Sequence, residues 1–338
     1  MSSRVLAAML TPVVLLLVTA SAIGQAPPSQ ARGAKWDLPR TPWGDPDIQG
    51  VWNNVTGTPL ERPAQLKDKA LLTKEEAAQF EKQVSDLIKG GEAKPIKEQS
   101  VGERTGYAAS IWFETDYSLS QNRTSLIVDP ADGRLPALTA EAKKIADRQA
   151  EAAKVSPADK PEDRGPYERC ITRALPGSML PGFYNHNYQI LQTRDYVVLA
   201  VEMIHDARIV PMDGRPHVGG DIKQWLGDSR GHWEGNTLVI ETTNLRDVDT
   251  RHIGAFGTTV RGRVIERFTR LGPDAMDYKV TVDDPAWYTQ PWTASIPMSR
   301  VQGPLYEYAC HEGNYGLPNI LAGHRQEERE AAQKPQKQ

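Results

Sequence analysis

The sequence predicts a mainly β protein, an antiparallel barrel or sandwich with a helical insertion towards its N-terminus. Three observations predict it. From about residue 187 apolar residues recur at every second position, the pattern of strands with one buried face. The runs are separated by short turns such as Arg194-Asp195, Glu234-Gly235-Asn236 and Gly272-Pro273-Asp274. No helical pattern interleaves with them, which argues against a doubly wound parallel sheet.

Residues 1–26 read as a secretory signal peptide. Met1 to Arg4 is a short positive segment, Val5 to Ala20 is apolar, and small residues at Ala20, Ala22, Gly24 and Ala26 offer cleavage sites. The apolar run is too short for a membrane span, and no later segment is long enough, so no span is expected after cleavage. The expected location is periplasmic or secreted. Export to an oxidising compartment favours pairing of the only two cysteines, so Cys170–Cys310 is the expected disulfide.

Residues 27–46 read as an N-terminal arm and 47–325 as one β-rich domain, opened by a strand at Gly50-Val51-Trp52. A first insertion, about 61–104, carries nine basic and nine acidic residues, the mark of a solvated surface. Within it Thr73-Lys74-Glu75-Glu76 is a capping box, Ala77, Phe80 and Val84 follow at helical spacing, and Gly90-Gly91 is the expected stop. A second insertion, about 139–155, is a helix with Thr139 as N-cap, ending before Ser156-Pro157. Strands are expected at 124–128, 188–193, 196–203, 207–210, 237–243, 258–270, 276–283, 292–298 and 305–310. Residues 326–338 read as a flexible tail.

Forty Lys and Arg stand against 43 Asp and Glu, a net charge of -3. A generally basic nucleic-acid binder is thereby excluded. Eleven Tyr and eight Trp against five Phe give aromatic surface with polar edges, suited to the rim of a cavity.

Gly227-Asp228-Ser229-Arg230-Gly231 matches G-x-S-x-G, and Asp247 or Asp283 with His311 would complete a serine hydrolase set. That motif needs a strand before it and a helix after it, and here a turn into a strand follows. No strong metal signature stands among the seven His, so no metal and no cofactor are expected. A composite site from His205-Asp206, His217 to Asp221 and His311-Glu312 is the metal alternative.

Polar residues nevertheless gather at strand ends. His186 stands just before one strand. Glu202 ends its neighbour among apolar residues, followed by His205, Asp206 and Arg208. A buried carboxylate there needs a partner, either Arg208 or Arg215 in a structural ion pair or an imidazole in acid–base chemistry. Arg215 and His217 share the turn Asp213-Gly214-Arg215-Pro216-His217. Asp283 precedes an aromatic loop with Trp287, Tyr288 and Trp292, the material of a pocket wall for a ring-bearing molecule or of satellite core packing.

Three segments, Asp213 to His217, Gly227 to Val239 and Tyr308 to Tyr315, together resemble a family of uncharacterised secreted bacterial proteins, a resemblance that spans about Asp45 to Arg325 and implies no particular activity. Gly50-Val51-Trp52 also resembles the G-x-W opening of lipocalin-type barrels, which implies a lipocalin-like closed sheet.

The resulting expectation is an exported enzyme, a lyase, isomerase or hydrolase, acting on an apolar or ring-bearing small molecule. His217 and His311 would be the proton-transfer groups, with Glu202, Arg215, His205 and His232 beside them. Trp287, Tyr288, Trp292, His186 and Asp283 would hold the substrate. A non-catalytic lipocalin-like carrier and a Ser229 hydrolase are the alternatives, and an interaction module is a third class.

Overall fold

In a computed structural model, the chain divides into units Met1–Asp37 and Leu38–Gln338. The structure describes residues 36–66, 68–92, 118–155, 158–182, 184–246 and 258–333. The signal peptide, residues 27–35 of the arm, the end of the first insertion and Asp247 lie outside these residues.

The second unit is built on one ten-stranded sheet: β1 (Gly50–Asn53), β2 (Ile127–Asp129), β3 (Asn187–Gln192), β4 (Tyr196–Val201), β5 (Ala207–Pro211), β6 (Asp228–Glu234), β7 (Thr237–Thr243), β8 (Arg263–Arg270), β9 (Ala275–Asp283) and β10 (Trp292–Val301). The order is β5-β4-β3-β1-β10-β9-β8-β7-β6, with β2 also on β10. Every named pairing is antiparallel. Strands β3 to β5 and β6 to β10 are thus two consecutive meanders, and β1 joins them, with Val51 between Gln189 and Val301.

Alternation decides which face is inside. In β9 Met276, Tyr278, Val280 and Val282 are buried and Lys279 is exposed. Register carries this face across the sheet through Trp52, Tyr188, Phe268 and Ile296, which meet in a single core. The sheet does not close by hydrogen bonds. Its edges β5 and β6 nevertheless touch: a Cβ on Gly231 would lie 2.4 Å from Met212 Sδ and 3.0 Å from Val210 Cγ1, so only a glycine fits the unshifted seam. Arg208 of β5 reaches Glu266 of β8 across the buried face. One end of the sheet is covered by residues 165–182, whose Leu175, Met179 and Leu180 join the core. Asn54 Nδ2 donates to Met179 O at 2.9 Å and Thr258 Oγ1 to Leu175 O at 2.9 Å, fixing this plug to two strand ends.

Helix α1 (Lys74–Glu92) and helix α2 (Ala140–Val155) occupy the expected insertions. The capping box is formed reciprocally, with Thr73 N donating to Glu76 Oε2 at 2.9 Å and Glu76 N to Thr73 Oγ1 at 3.2 Å. Helix α1 runs through Gly90-Gly91, because glycine weakens a helix without terminating it. Thr139 caps α2 as expected, accepting from Ala142 N at 3.1 Å.

Three segments differ from the sequence expectation. Residues 228–234 form strand β6, a segment not among the expected strands, with all seven residues in register with β7. The strand expected at 305–310 is absent: an irregular segment leads into the short helix α3 (Cys310–Gly313), held by the disulfide. The expected tail is instead helix α4 (Gly316–Gln333), since Glu, Ala, Gln and Arg are strong helix formers. Among the described residues no helix is long and apolar enough to cross a membrane.

Candidate functional site

The polar residues singled out in the sequence fall into two groups. The first lies at the plugged end. Cys170 and Cys310 are bonded, with Cα atoms 5.8 Å apart, which fastens α3 against the plug. Beside them is a cleft of ≈ 290 Å³ whose lining includes Tyr167, Glu168, Tyr308 and Asn314.

His205 is not among the lining residues but touches one of them. Its Nδ1 lies 2.9 Å from the backbone O of Tyr308, and a carbonyl can only accept, so Nδ1 carries the proton. In the neutral ring Nε2 is then the basic lone pair, on a side chain exposed to solvent. The turn that presents it is strained. Ile204 has φ 65° and His205 φ 50°, a left-handed conformation unfavourable for a β-branched residue.

Behind His205 the groups are buried. Glu202 is 3% exposed and accepts from Asn187 Nδ2 at 2.7 Å. Neither expected arginine is its partner: Arg208 pairs with Glu266, and exposed Arg215 pairs with Asp213. Asp206 accepts from Thr172 Oγ1 at 2.9 Å, and burial raises its pKa although Thr172, His205 and Arg208 oppose the rise.

His186 lies under the plug, 1% exposed. Arg173 Nη1 donates to its Nε2 at 3.4 Å, and its Nδ1 is 3.3 Å from the Tyr188 hydroxyl. Burial, reinforced by the Arg173 charge, pushes its pKa down to about 3. Gly182 passes over the ring so closely that a Cβ there would be 2.1 Å from His186 Nε2. Tyr184 and Tyr308, beside Tyr167, also have raised pKa values, chiefly from burial, which keeps them neutral hydroxyl donors.

The second group lies on the outer face near β6, β7 and β8. His217 Nδ1 is 2.8 Å from Asp228 Oδ2 and its Nε2 is 3.4 Å from Glu241 Oε1. Arg230 also holds Asp228, at 2.7 Å, and Arg263 joins Glu241 to Asp283. The side-chain partners of His217 are thus Asp228 and Glu241, while Glu202 and Arg215, expected beside it, are held by Asn187 and Asp213. His232 is exposed and faces Glu234 at 3.2 Å.

The expected single gathering is therefore split. Glu202, His205 and His186 lie towards the plugged end, each with its own partners, while His217, Asp283 and His232 belong to the outer face. His311 is exposed on α3, next to the cleft-lining Cys310. Trp287, Tyr288 and Trp292 are core residues and not a pocket wall: they are nearly fully buried in the main cluster, with Tyr288 edge-on to Trp292. Ser229 Oγ points to the buried face and bonds Thr242 Oγ1 at 2.8 Å, opposite in parity to Asp228. A strand at this position gives Ser229 no nucleophile elbow. The composite metal alternative fails similarly. Among the described residues the three-ligand cluster is Asp159, His324 and Glu328, none of them singled out in the sequence.

Sequence reasoning missed Arg173, Tyr167, Asp228 and Glu266. Glu266 was open to discovery, since it shares parity with apolar Val264 and Phe268. Arg173 and Tyr167 lie in an aperiodic segment that carries no such signal. A comparison with protein-family models gives no match, and none of the curated proteins matches the chain significantly.

Proposed function

We propose that the protein is an exported small-molecule enzyme, a lyase, isomerase or hydrolase, whose acid–base centre is the plugged end of a lipocalin-like curled sheet. The observation that carries this reading is the His205–Tyr308 contact, which fixes the imidazole tautomer against a residue that lines the cleft. His205 Nε2 is the base. The neutral Tyr308 hydroxyl, lining the same cleft, is the matching donor. Glu202, Asp206 and the strained 204–205 turn position His205. Aromatic edges at Tyr167 and Tyr308 suit a ring-bearing substrate with polar substituents. The touching edges β5 and β6 support a barrel-like scaffold whose centre is filled by side chains, so the substrate enters at the end of the sheet. The signal-like N-terminus and the disulfide support a periplasmic or secreted location.

A second reading places the base at His217, favoured by the 2.8 Å contact with Asp228. The test is a turnover screen of the mature protein on ring-bearing esters, lactones and hydroxy compounds, followed by His205→Gln and His217→Gln. The first reading expects His205→Gln to lose at least about 10²-fold in turnover with an unchanged melting temperature. Loss confined to His217→Gln supports the second reading. Saturable binding without turnover leaves the carrier.

A further inference from the structure

Helix α4 is 18 residues long and has no buried residue. A helix of this length is marginal in water unless something docks it. Its described polar attachments to the rest of the unit include Asn314 Nδ2 donating to Glu168 O at 2.9 Å just before the helix, and contacts to Asp159 from His324 and Arg325. At that second point three metal-type donors converge. His324 and Glu328, one turn apart on α4, project along one face towards Asp159 of the loop before Pro161–Asp163.

We infer that Asp159, His324 and Glu328 form a site for one first-row divalent cation of the Zn²⁺ class, which clips α4 to the body of the protein. The distances fit such an ion. His324 Nε2 is 3.2 Å from Asp159 Oδ1 and 3.8 Å from Glu328 Oε1, and all three donor atoms lie within 4.8 Å of one another. Ligands at ~2.1 Å from a shared ion stand about 3 to 3.5 Å apart, so closing the site takes side-chain shifts on the order of 1 Å. One ring nitrogen cannot serve both carboxylates as a donor, because 3.8 Å is beyond hydrogen-bond reach. A cation among the three bridges all of them, in competition with Arg325, whose Nη1 also lies 3.5 Å from Glu328 Oε2.

The loop is held ready: Asp163 Oδ2 accepts from Asp159 N at 3.0 Å and from Lys160 N at 3.1 Å. Arg325 binds the Asp159 backbone carbonyl and so aligns α4 with the loop, while its charge, 3.5 Å from Asp159 Oδ1, limits the affinity. One imidazole and two carboxylates select a borderline cation over Ca²⁺ or Mg²⁺, which prefer all-oxygen shells. Half-exposed donors leave the remaining positions to water. The ion's role is docking, since its binding energy becomes docking energy for the helix.

The test uses the full mature chain without a polyhistidine tag, titrated calorimetrically with Zn²⁺, Ca²⁺ and Mg²⁺ and followed by hydrogen exchange of residues 316–333. The expected result is one saturable Zn²⁺ per chain and slowed exchange in α4. Affinity should fall at least about tenfold in His324→Ala and Glu328→Gln and stay unchanged in His311→Ala. Absence of saturable Zn²⁺ binding, binding that survives His324→Ala, or binding that leaves exchange in α4 unaltered would overturn the site.

Discussion

Arg208 carries its charge into the core, 4% exposed, opposite a Glu266 that is 0% exposed. The pair is bidentate, with Nη1 to Oε2 at 2.5 Å and Nη2 to Oε1 at 2.9 Å, and the Tyr278 hydroxyl donates to Glu266 Oε1 at 2.8 Å. Removing one partner leaves the other charge desolvated and alone. Arg208→Met should therefore cost about 3–5 kcal/mol in urea unfolding, whereas the Arg208→Met, Glu266→Met double variant should cost less than the sum of the single changes. Strict additivity would mean that the two charges do not depend on each other. His186 gives a second prediction at this scale. Its folded imidazole stays neutral to about pH 3, while the unfolded one takes a proton near its ordinary value of 6.5. The unfolded state binds more protons between these limits, so stability is full above about pH 6.5 and falls as pH drops, by at most about 1.4 kcal/mol per pH unit. His186→Gln should flatten the difference between urea melts at neutral and mildly acidic pH; equal slopes in both proteins would remove His186 as the cause. The burial of Glu202 was legible from its apolar neighbours. The partners were not: Asn187 faces Glu202 from the neighbouring strand, Arg173 reaches His186 from an aperiodic segment, and the Tyr308 carbonyl reaches His205 from 103 residues away.

Among the elements, those that carry their own pattern were read correctly from the sequence. Strand β7 spans the expected residues 237–243, and the capping box starts α1. Strand β6 escaped because Gly227, Gly231 and a charged residue at alternate positions look like a loop. Its strand character comes from seven registered partners in β7 and from a seam where Gly231 lets β5 approach. Trp287, Tyr288 and Trp292 show the same limit, since an aromatic cluster reads alike whether it lines a pocket or fills a core. Thr139 offers a measurable case at this scale. Its Oγ1 accepts from Ala142 N and donates to Ala286 O at 3.0 Å, joining the start of α2 to the 284–288 turn. Thr139→Ala should cost about 1–2 kcal/mol and speed hydrogen exchange in the first turn of α2, with Thr139→Ser recovering most of the loss. Exchange as slow as in the wild type would show that packing alone holds this helix start.

Across the whole molecule, the Cys170–Cys310 bond spans 140 residues and ties the plug to the segment after the last strand. Restricting so long a loop in the unfolded chain contributes about 4–5 kcal/mol in the chain-entropy account. Denatured, unreduced protein should titrate with no free thiol, and reduction should lower the urea midpoint. A midpoint indifferent to reductant would assign the anchoring of the plug to its core residues alone. The class and antiparallel character of the fold were legible from periodicity. Strand order was not, because no local pattern says that β1 belongs between β3 and β10.

That placement governs the order in which the protein can assemble. Each meander needs only neighbours in the chain, whereas the four residues of β1 must find Gln189 on one side and Val301 on the other. In a chain delivered N-terminus first, β1 emerges early and waits until nearly all of the rest has arrived, at the loop-closure cost that such distant contacts carry. During that wait β1, even once paired with β3, presents an open edge on the side that β10 will fill, the surface on which strands of different molecules join. The stitch that unites the two halves thus also sets the interval in which the newly made chain is most exposed to aggregation.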